Sequence, residues 1–355
     1  INPFLFMLPR PPNLIIWDYK NHKQFELNQE FSKRLTELIC DLERFDNSNT
    51  IDIQLLDAGI LSRLTPVAVE WGWDELSKIF HIGTKNIPFD RAPKDIHEWS
   101  TQYLEHCRIV LAKRTSPNKT QDQLPGELIQ LPKPSIIKGL LSEALINRKT
   151  CREFSADAVS LETTSTLLYL TLGYLHERTT SIDDCIAEGL HERRTSPSGG
   201  GLNACEGFIY VQNAIDLGPG VYAYDPRAHT IRFVNSLPVE PLGELLCGQH
   251  FINNLPLGLF ITSRFDKLWW KYEHSRAYRM AYVEAGHIAQ TFQLVATSLG
   301  LNTWLTGALS DTQVENLLNL EDSTEQPLFF VGCGRSDGQV MCKEIKALLG
   351  EEDAE

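Results

Sequence analysis

Residues 278–308 read YRMAYVEAGHIAQTFQLVATSLGLNTWLTGA, and this stretch decides the fold. Ala285, Ile288, Ala289, Phe292, Val295, Ala296 and Leu299 recur at helical spacing and make an apolar face wide enough for the central core helix of a domain. Gly300 is the expected C-cap. The following Gly-Leu-Asn-Thr-Trp-Leu-Thr-Gly-Ala (300–308) places glycine just beyond a strand-like run, where ligands meet such sheets.

Working outward, Asp266–Tyr282 is polar-rich and expected to be helical, and Pro256–Ser263 is an apolar run that fits a central strand. Val221–Tyr224 and Thr230–Val234 predict a hairpin around Asp225–His229, and Gly207–Gln212 and Leu328–Gly332 predict further strands. Ile136–Asn147 and the run from Ser160 through Leu172 predict helices. Helices and strands in this mixture predict an α+β fold.

Between Thr115 and Ser135, Pro117, Pro125, Gly126, Pro132 and Pro134 lie among polar residues, the composition of a linker. The expected organisation is therefore a domain over residues 1–114, a linker over 115–135 and a second domain over 136–355. In the first, Leu14–Trp17 and Phe25–Leu27 predict short strands, Asn28 caps a helix carrying Phe31, Leu35, Leu38, Leu42 and Phe45, and Thr50–Leu64 predicts a second helix. Leu-Leu-Asp-Ala-Gly-Ile-Leu (55–61) looks like the end of a helix in winged-helix domains; a plain helical cap on the next domain fits it equally well.

At about 150 residues per domain, 355 residues accord with two or three domains. Lys plus Arg number 33 against 46 Asp plus Glu, so the net charge is 33 − 46 = −13. That balance repels phosphate backbones and argues against nucleic acid as a partner. No apolar run approaches the ~20 residues of a membrane span, and Ile1–Arg10 has no signal-peptide pattern. The chain opens on Ile1 rather than Met, which leaves an earlier segment open. None of the 8 cysteines forms a Cys-x-x-Cys pair, so no metal site is expected, and free thiols in a reducing cytoplasm are.

Four elements carry chemistry. Arg148, Thr150 and Arg152 alternate, so in an extended segment two guanidiniums and a hydroxyl project to one side, toward a phosphate and its polyol; they would equally solubilise a linker exit. Arg-Arg-Thr-Ser-Pro-Ser-Gly-Gly-Gly (193–201) offers backbone amides and Ser198 to a ligand. Its letters Gly199, Gly201 and Ala204 match a dinucleotide fingerprint, but the arginine-rich stretch before them is no strand. Lys271-Tyr272 after Trp269-Trp270 could line a pocket with a proton acceptor at its edge, or form a plain amphipathic helix. Lys271 serves as a base only if burial or a nearby cation, such as Arg276 or Arg279, lowers its pKa. The last element is 300–308 with Gly-Cys-Gly-Arg (332–335).

In this order, with the Pro-Gly-Val-Tyr-Ala-Tyr-Asp-Pro hairpin (219–226) and Tyr-Arg-x-x-x-Val-Glu-Ala-Gly-His (278–287), the chain resembles SagB/ThcOx-type dehydrogenases, flavin enzymes of the nitroreductase superfamily. The resemblance covers about residues 136–340. It implies a central mixed or antiparallel sheet wrapped by helices, FMN at a homodimer interface, and an N-terminal peptide-binding extension. It assigns Arg148, Thr150 and Arg152 to the FMN phosphate, ribityl chain and ring edge, with Thr150 where many members carry serine, and Arg335 as a further phosphate ligand. Ser198, Gly199 and Gly200 would touch the flavin, and the Thr306, Gly307 and Ala308 backbone would donate toward flavin N5. Lys271 and Tyr272 would move the proton. The implied reaction oxidises thiazoline or oxazoline rings of a precursor peptide to azoles, with oxygen as acceptor and a cyclodehydratase as partner. Two alternatives stay open: an NAD(P)H-dependent nitro or quinone reductase, and a peptide-recognition scaffold that keeps FMN only for structure.

Overall fold

The structure, a computed structural model, describes residues 1–64, 79–80, 83, 105, 108–110, 112–113, 126–133, 141–175, 193–272, 275–320 and 324–340. The chain divides into two compact units, Ile1–Lys94 and Asp95–Glu355.

In the first unit β1 (Leu5–Arg10), β2 (Asn13–Asp18) and β3 (Lys23–Leu27) form an antiparallel sheet in that order. β1 escapes a periodicity reading because its last four residues are all exposed, so no buried alternation marks it. Helix α1 (Gln29–Cys40) starts where expected, with Asn28 Oδ1 accepting from the Phe31 amide at 3.1 Å. Helix α2 (Thr50–Asp57) is shorter than the expected Thr50–Leu64. Gly59 at φ +76° turns the chain, and the amides of Ile60 and Leu61 fold back onto the Leu55 carbonyl, which ends the helix. Ile16, Leu27, Leu35, Leu38, Leu55 and Ile60 form its core.

One ion pair ties the two helices. Arg34 donates from Nε and Nη2 to both carboxylate oxygens of buried Asp52, each at 2.7 Å. The Arg34 hydrogen bonds hold the Asp52 carboxyl below the usual carboxylate range. A depressed folded pKa contributes stability above the unfolded value of ~3.9. That stability disappears as pH falls through the folded pKa. The Tm gap between the wild type and Asp52→Asn should therefore be widest above about pH 5 and narrow on acidification; a gap independent of pH would contradict this.

The second unit is built on a seven-stranded sheet. Its described elements are β4 (Leu128–Gln130), α3 (Leu141–Asn147), β5 (Val159–Ser160), α4 (Leu161–Leu172), β6 (Cys205–Val211), β7 (Ala214–Ile215), β8 (Gly220–Asp225), β9 (Thr230–Asn235), β10 (Leu257–Arg264), α5 (Phe265–Lys271), α6 (Tyr278–Ser298), β11 (Asn302–Thr306), α7 (Asp311–Leu317) and β12 (Glu325–Gly334). Residues 136–140 of the expected first helix lie outside the described residues. The sheet order is β11-β12-β10-β6-β8-β9-β4, with every neighbouring pair antiparallel. β4 lies inside the stretch expected to act as linker, and it forms one edge of this sheet.

Period-two alternation sends Ile209, Val211, Leu257, Leu259 and Ile261 to one face, where α4 and α6 cover them with Leu168, Leu172, Ala285, Ile288 and Phe292. Phe208, Tyr210, Phe260 and Phe330 point to the other face, against Leu242, Leu245, Leu255 and Val314. Strand β10 is buried along its whole length, so its sequence reads as an apolar run.

The expected helix Asp266–Tyr282 is two helices. α5 stops at Lys271, Tyr272 is extended (φ −115°, ψ 112°), and α6 begins at Tyr278. Among the described residues, no helix is long and apolar enough to cross a membrane.

Candidate active site

The break between α5 and α6 is what assembles the site. Neighbouring residues on a regular helix point about 100° apart. Lys271 is the last residue of α5 and Tyr272 its extended cap, so both side chains reach the same glycine-rich turn. Lys271 is 2% exposed, and its Nζ donates to the Gly200 carbonyl at 3.0 Å. Trp269, by contrast, is half exposed.

Gly199–Gly201 form a tight turn in which Gly200 (φ +61°) and Gly201 (φ +70°) are left-handed. A Cβ on Gly200 would lie 2.2 Å from the Tyr272 hydroxyl and 2.8 Å from Lys271 Nζ. The turn therefore brings bare backbone against the two polar tips. On Gly199, a Cβ would meet Met280 of α6 at 3.2 Å.

Charged side chains grip this loop at each step. Ser198 Oγ donates to Glu284 Oε2 at 2.6 Å and accepts from the Asn203 amide at 2.8 Å. Glu284 Oε1 accepts from the Cys205 amide at 2.9 Å. Arg194 Nη1 donates to the Cys205 carbonyl at 2.6 Å, and Lys267 Nζ donates to Glu206 at 2.5 Å and to the Asn203 carbonyl at 3.4 Å. Burial opposes the charge on Arg194, but Tyr174, Glu206 and Glu284 more than offset it, and its pKa lies above the ordinary value. Burial, with Glu284 nearby, pushes the Cys205 thiol well up. Cys205 is thus an inert packing residue.

The arginine run lies along the other edge. Thr150 bridges Thr303 of β11 in parallel, and the Cys151 amide donates to the Thr303 carbonyl at 2.9 Å. Arg148 Nη1 reaches Thr150 Oγ1 at 3.4 Å, which puts these two on one side, as alternation requires. Arg152 donates from its amide to Gln339 and from Nη1 to the Val340 carbonyl, and the Ser155 amide donates to the Arg335 carbonyl. The backbone thereby aligns Arg152 with the segment that carries Arg335, whose side chain is exposed.

At the end of β11, Thr306 Oγ1 accepts from the Ala308 amide at 3.0 Å and from Gln249 Nε2 at 3.2 Å. The Ala308 amide is therefore engaged within the turn, and Gly307 lies exposed beside Phe329.

These residues fit a flavin mononucleotide. Guanidiniums beside a hydroxyl suit a phosphate and its polyol, and a side-chain-free turn with left-handed glycine suits a flat ring approached by backbone. Sequence reading did not single out Glu284, Lys267 and Arg194, whose side chains hold the segment from Ser198 to Cys205. A signal existed for Glu284: a carboxylate set in the stripe Ala281, Ala285, Ile288 of a core helix has to meet donors there.

MJ1384 of Methanocaldococcus jannaschii, which carries a nitroreductase designation, is 29% identical over 211 residues, 59% of this chain and 98% of that protein. Trifolitoxin operon protein TfxC of Rhizobium leguminosarum bv. trifolii is 23% identical over 274 residues, 75% of this chain and 73% of its own. Microcin B17-processing protein McbC of Escherichia coli is 31% identical over 142 residues, 38% of this chain and 52% of its own. The nitroreductase family model matches residues 145–335, from the arginine run to Arg335 and more than half of the chain, and the chain belongs to the nitroreductase family.

Proposed function

We propose that this protein is an FMN-dependent dehydrogenase that aromatises thiazoline or oxazoline rings in a peptide. The observation that carries the proposal is the placement of Lys271 and Tyr272 together at a helix break, against the backbone of a side-chain-free turn. McbC is a microcin B17-processing protein and TfxC a trifolitoxin operon protein. From them we take a peptide as the substrate class. The assignment extends to a homodimer, a cyclodehydratase partner, oxygen as final acceptor and a cytoplasmic setting. Residues 1–114 are assigned to peptide recognition, with residues 115–135 as a connection whose β4 strand already joins the sheet.

Arg148, Thr150, Arg152 and Arg335 would hold the FMN phosphate and ribityl chain. Ser198, Gly199 and Gly200 would lie along the ring, and the Thr306–Ala308 turn would meet N5 through the Gly307 amide. Bound there, the flavin supplies a two-electron hydride acceptor. Aromatisation removes one hydride and one proton from the ring. Lys271 and Tyr272 handle that proton, a role worth typically 10²–10⁴-fold in rate.

The visible spectrum of the purified protein tests the cofactor assignment directly, and flavin bands are expected. A charge-assisted hydrogen bond contributes roughly 1.5–3 kcal/mol, so Arg152→Ala should weaken FMN retention by about tenfold to a hundredfold. Unchanged FMN affinity in this variant would remove Arg152 from the phosphate site. MJ1384 favours a second reading, an NAD(P)H-dependent nitro or quinone reductase. Rapid NADPH oxidation without peptide would select it.

A further inference from the structure

We propose that α6 is the spacer that fixes the two ends of the cofactor cradle relative to each other, with buried Glu284 and Gln293 as its positioning residues; this rests on the flavin reading above. Glu284 is 2% exposed, so it holds the cradle from behind rather than touching a ligand. One of its oxygens accepts from the Ser198 hydroxyl on the glycine-rich loop, and the other accepts from the Cys205 amide at the start of β6, where that segment enters the sheet. Its neighbours on the same helix face, three and seven residues on, grip the same loop. His287 Nδ1 meets the Pro197 carbonyl at 3.3 Å, and Thr291 Oγ1 meets Ser196 Oγ at 2.6 Å.

The other end is held by Gln293, also 2% exposed. Its Nε2 donates to Thr303 Oγ1 at 3.1 Å, and that hydroxyl donates to the Lys149 carbonyl at 3.3 Å. Lys149 lies inside the arginine run, and Thr303 is the residue that Thr150 bridges. Glu284 and Gln293 are nine residues apart, about 13.5 Å along one rigid helix at 1.5 Å per residue. One helix thus ties the ring end and the phosphate end at a set separation. Packing alone would be met better by apolar side chains, since a buried carboxylate or amide costs stability unless its partners satisfy it.

The test compares Glu284→Gln, Ser198→Ala, their double variant and Gln293→Leu. Hydrogen exchange of the cofactor-free protein and the FMN dissociation constant are the two readouts. Glu284→Gln keeps an acceptor for the Cys205 amide and removes the carboxylate oxygen that accepts from the Ser198 hydroxyl. It should speed exchange about tenfold or more over residues 196–205, leave 148–152 protected, and weaken FMN about tenfold. Gln293→Leu should do the reverse in exchange and also weaken FMN. Ser198→Ala, the milder change if Glu284→Gln folds poorly, should reproduce the loop effect, and the double variant should add little to either single change. Faster exchange spread over α6 and the whole sheet would overturn the proposal, as would wild-type FMN affinity in both helix variants. Absence of flavin binding in the wild-type protein would remove the flavin reading, while the exchange pattern would still decide whether Glu284 and Gln293 hold their separate segments.

Discussion

Lys271→Ala is expected to slow azole formation about 10²–10⁴-fold, the usual worth of a positioned proton-transfer group, with flavin still bound. The expectation follows from position. The amine is buried, fixed on the Gly200 carbonyl at 3.0 Å, and adjoins the Tyr272 hydroxyl across the same turn. Water at neutral pH is a poor acceptor for a ring proton, so the loss of a positioned group at the turn slows its removal. Tyr272→Phe removes only a hydroxyl and separates the roles. A large loss in both variants assigns them a shared proton path, and a loss in Lys271→Ala alone makes Tyr272 an orienting residue. Near wild-type turnover in both, with flavin content intact, would take the pair out of the mechanism.

Gly200→Ala should be nearly as damaging to turnover, on the order of 10²-fold, with a loss of stability no larger than backbone strain alone gives. Left-handed φ at a non-glycine residue costs roughly 1–2 kcal/mol. The added Cβ would also stand 2.2 Å from the Tyr272 hydroxyl and 2.8 Å from Lys271 Nζ, the flexible ends of two side chains. They relieve the overlap by moving, and a misplacement of about 1 Å can cost 10²-fold in rate. Gly300→Ala separates the two effects. Gly300 has φ +77° with nothing within 4 Å of an added Cβ, so that variant carries the backbone strain without displacing anything. Equal Tm losses with activity lost only in Gly200→Ala are expected. Equal activity in the two variants would mean that the turn does not set the positions of Lys271 and Tyr272.

What the sequence reveals and hides follows from where each signal lies. The core helix is legible because Ala285, Ile288, Phe292 and Ala296 must all face the sheet, and periodicity records that demand. The hairpin and β10 are legible for the same reason. The early end of α2 was readable in principle, since Gly59 with φ +76° is a common helix stop. The break after Lys271 was not. The run from Trp269 to Arg276 holds no glycine or proline, and every residue in it tolerates a helix. Tertiary contact decides there, because the Lys271 amine is committed to a loop seventy-one residues away in sequence. The motif Val-Glu-Ala-Gly-His supported the family resemblance without revealing what Glu284 binds, since its partners Ser198 and Cys205 meet it only in the folded chain.

The most direct measurement mixes the purified flavin-loaded protein with an azoline-containing peptide in the absence of oxygen and NAD(P)H. It follows flavin absorbance while azole is quantified. Dehydrogenation transfers two electrons, so bleaching of the visible flavin bands is expected with one azole formed per flavin, and recovery of the bands when oxygen is admitted. A flavin that stays oxidised with the peptide yet bleaches on NADPH alone would contradict the account and leave a reductase in its place.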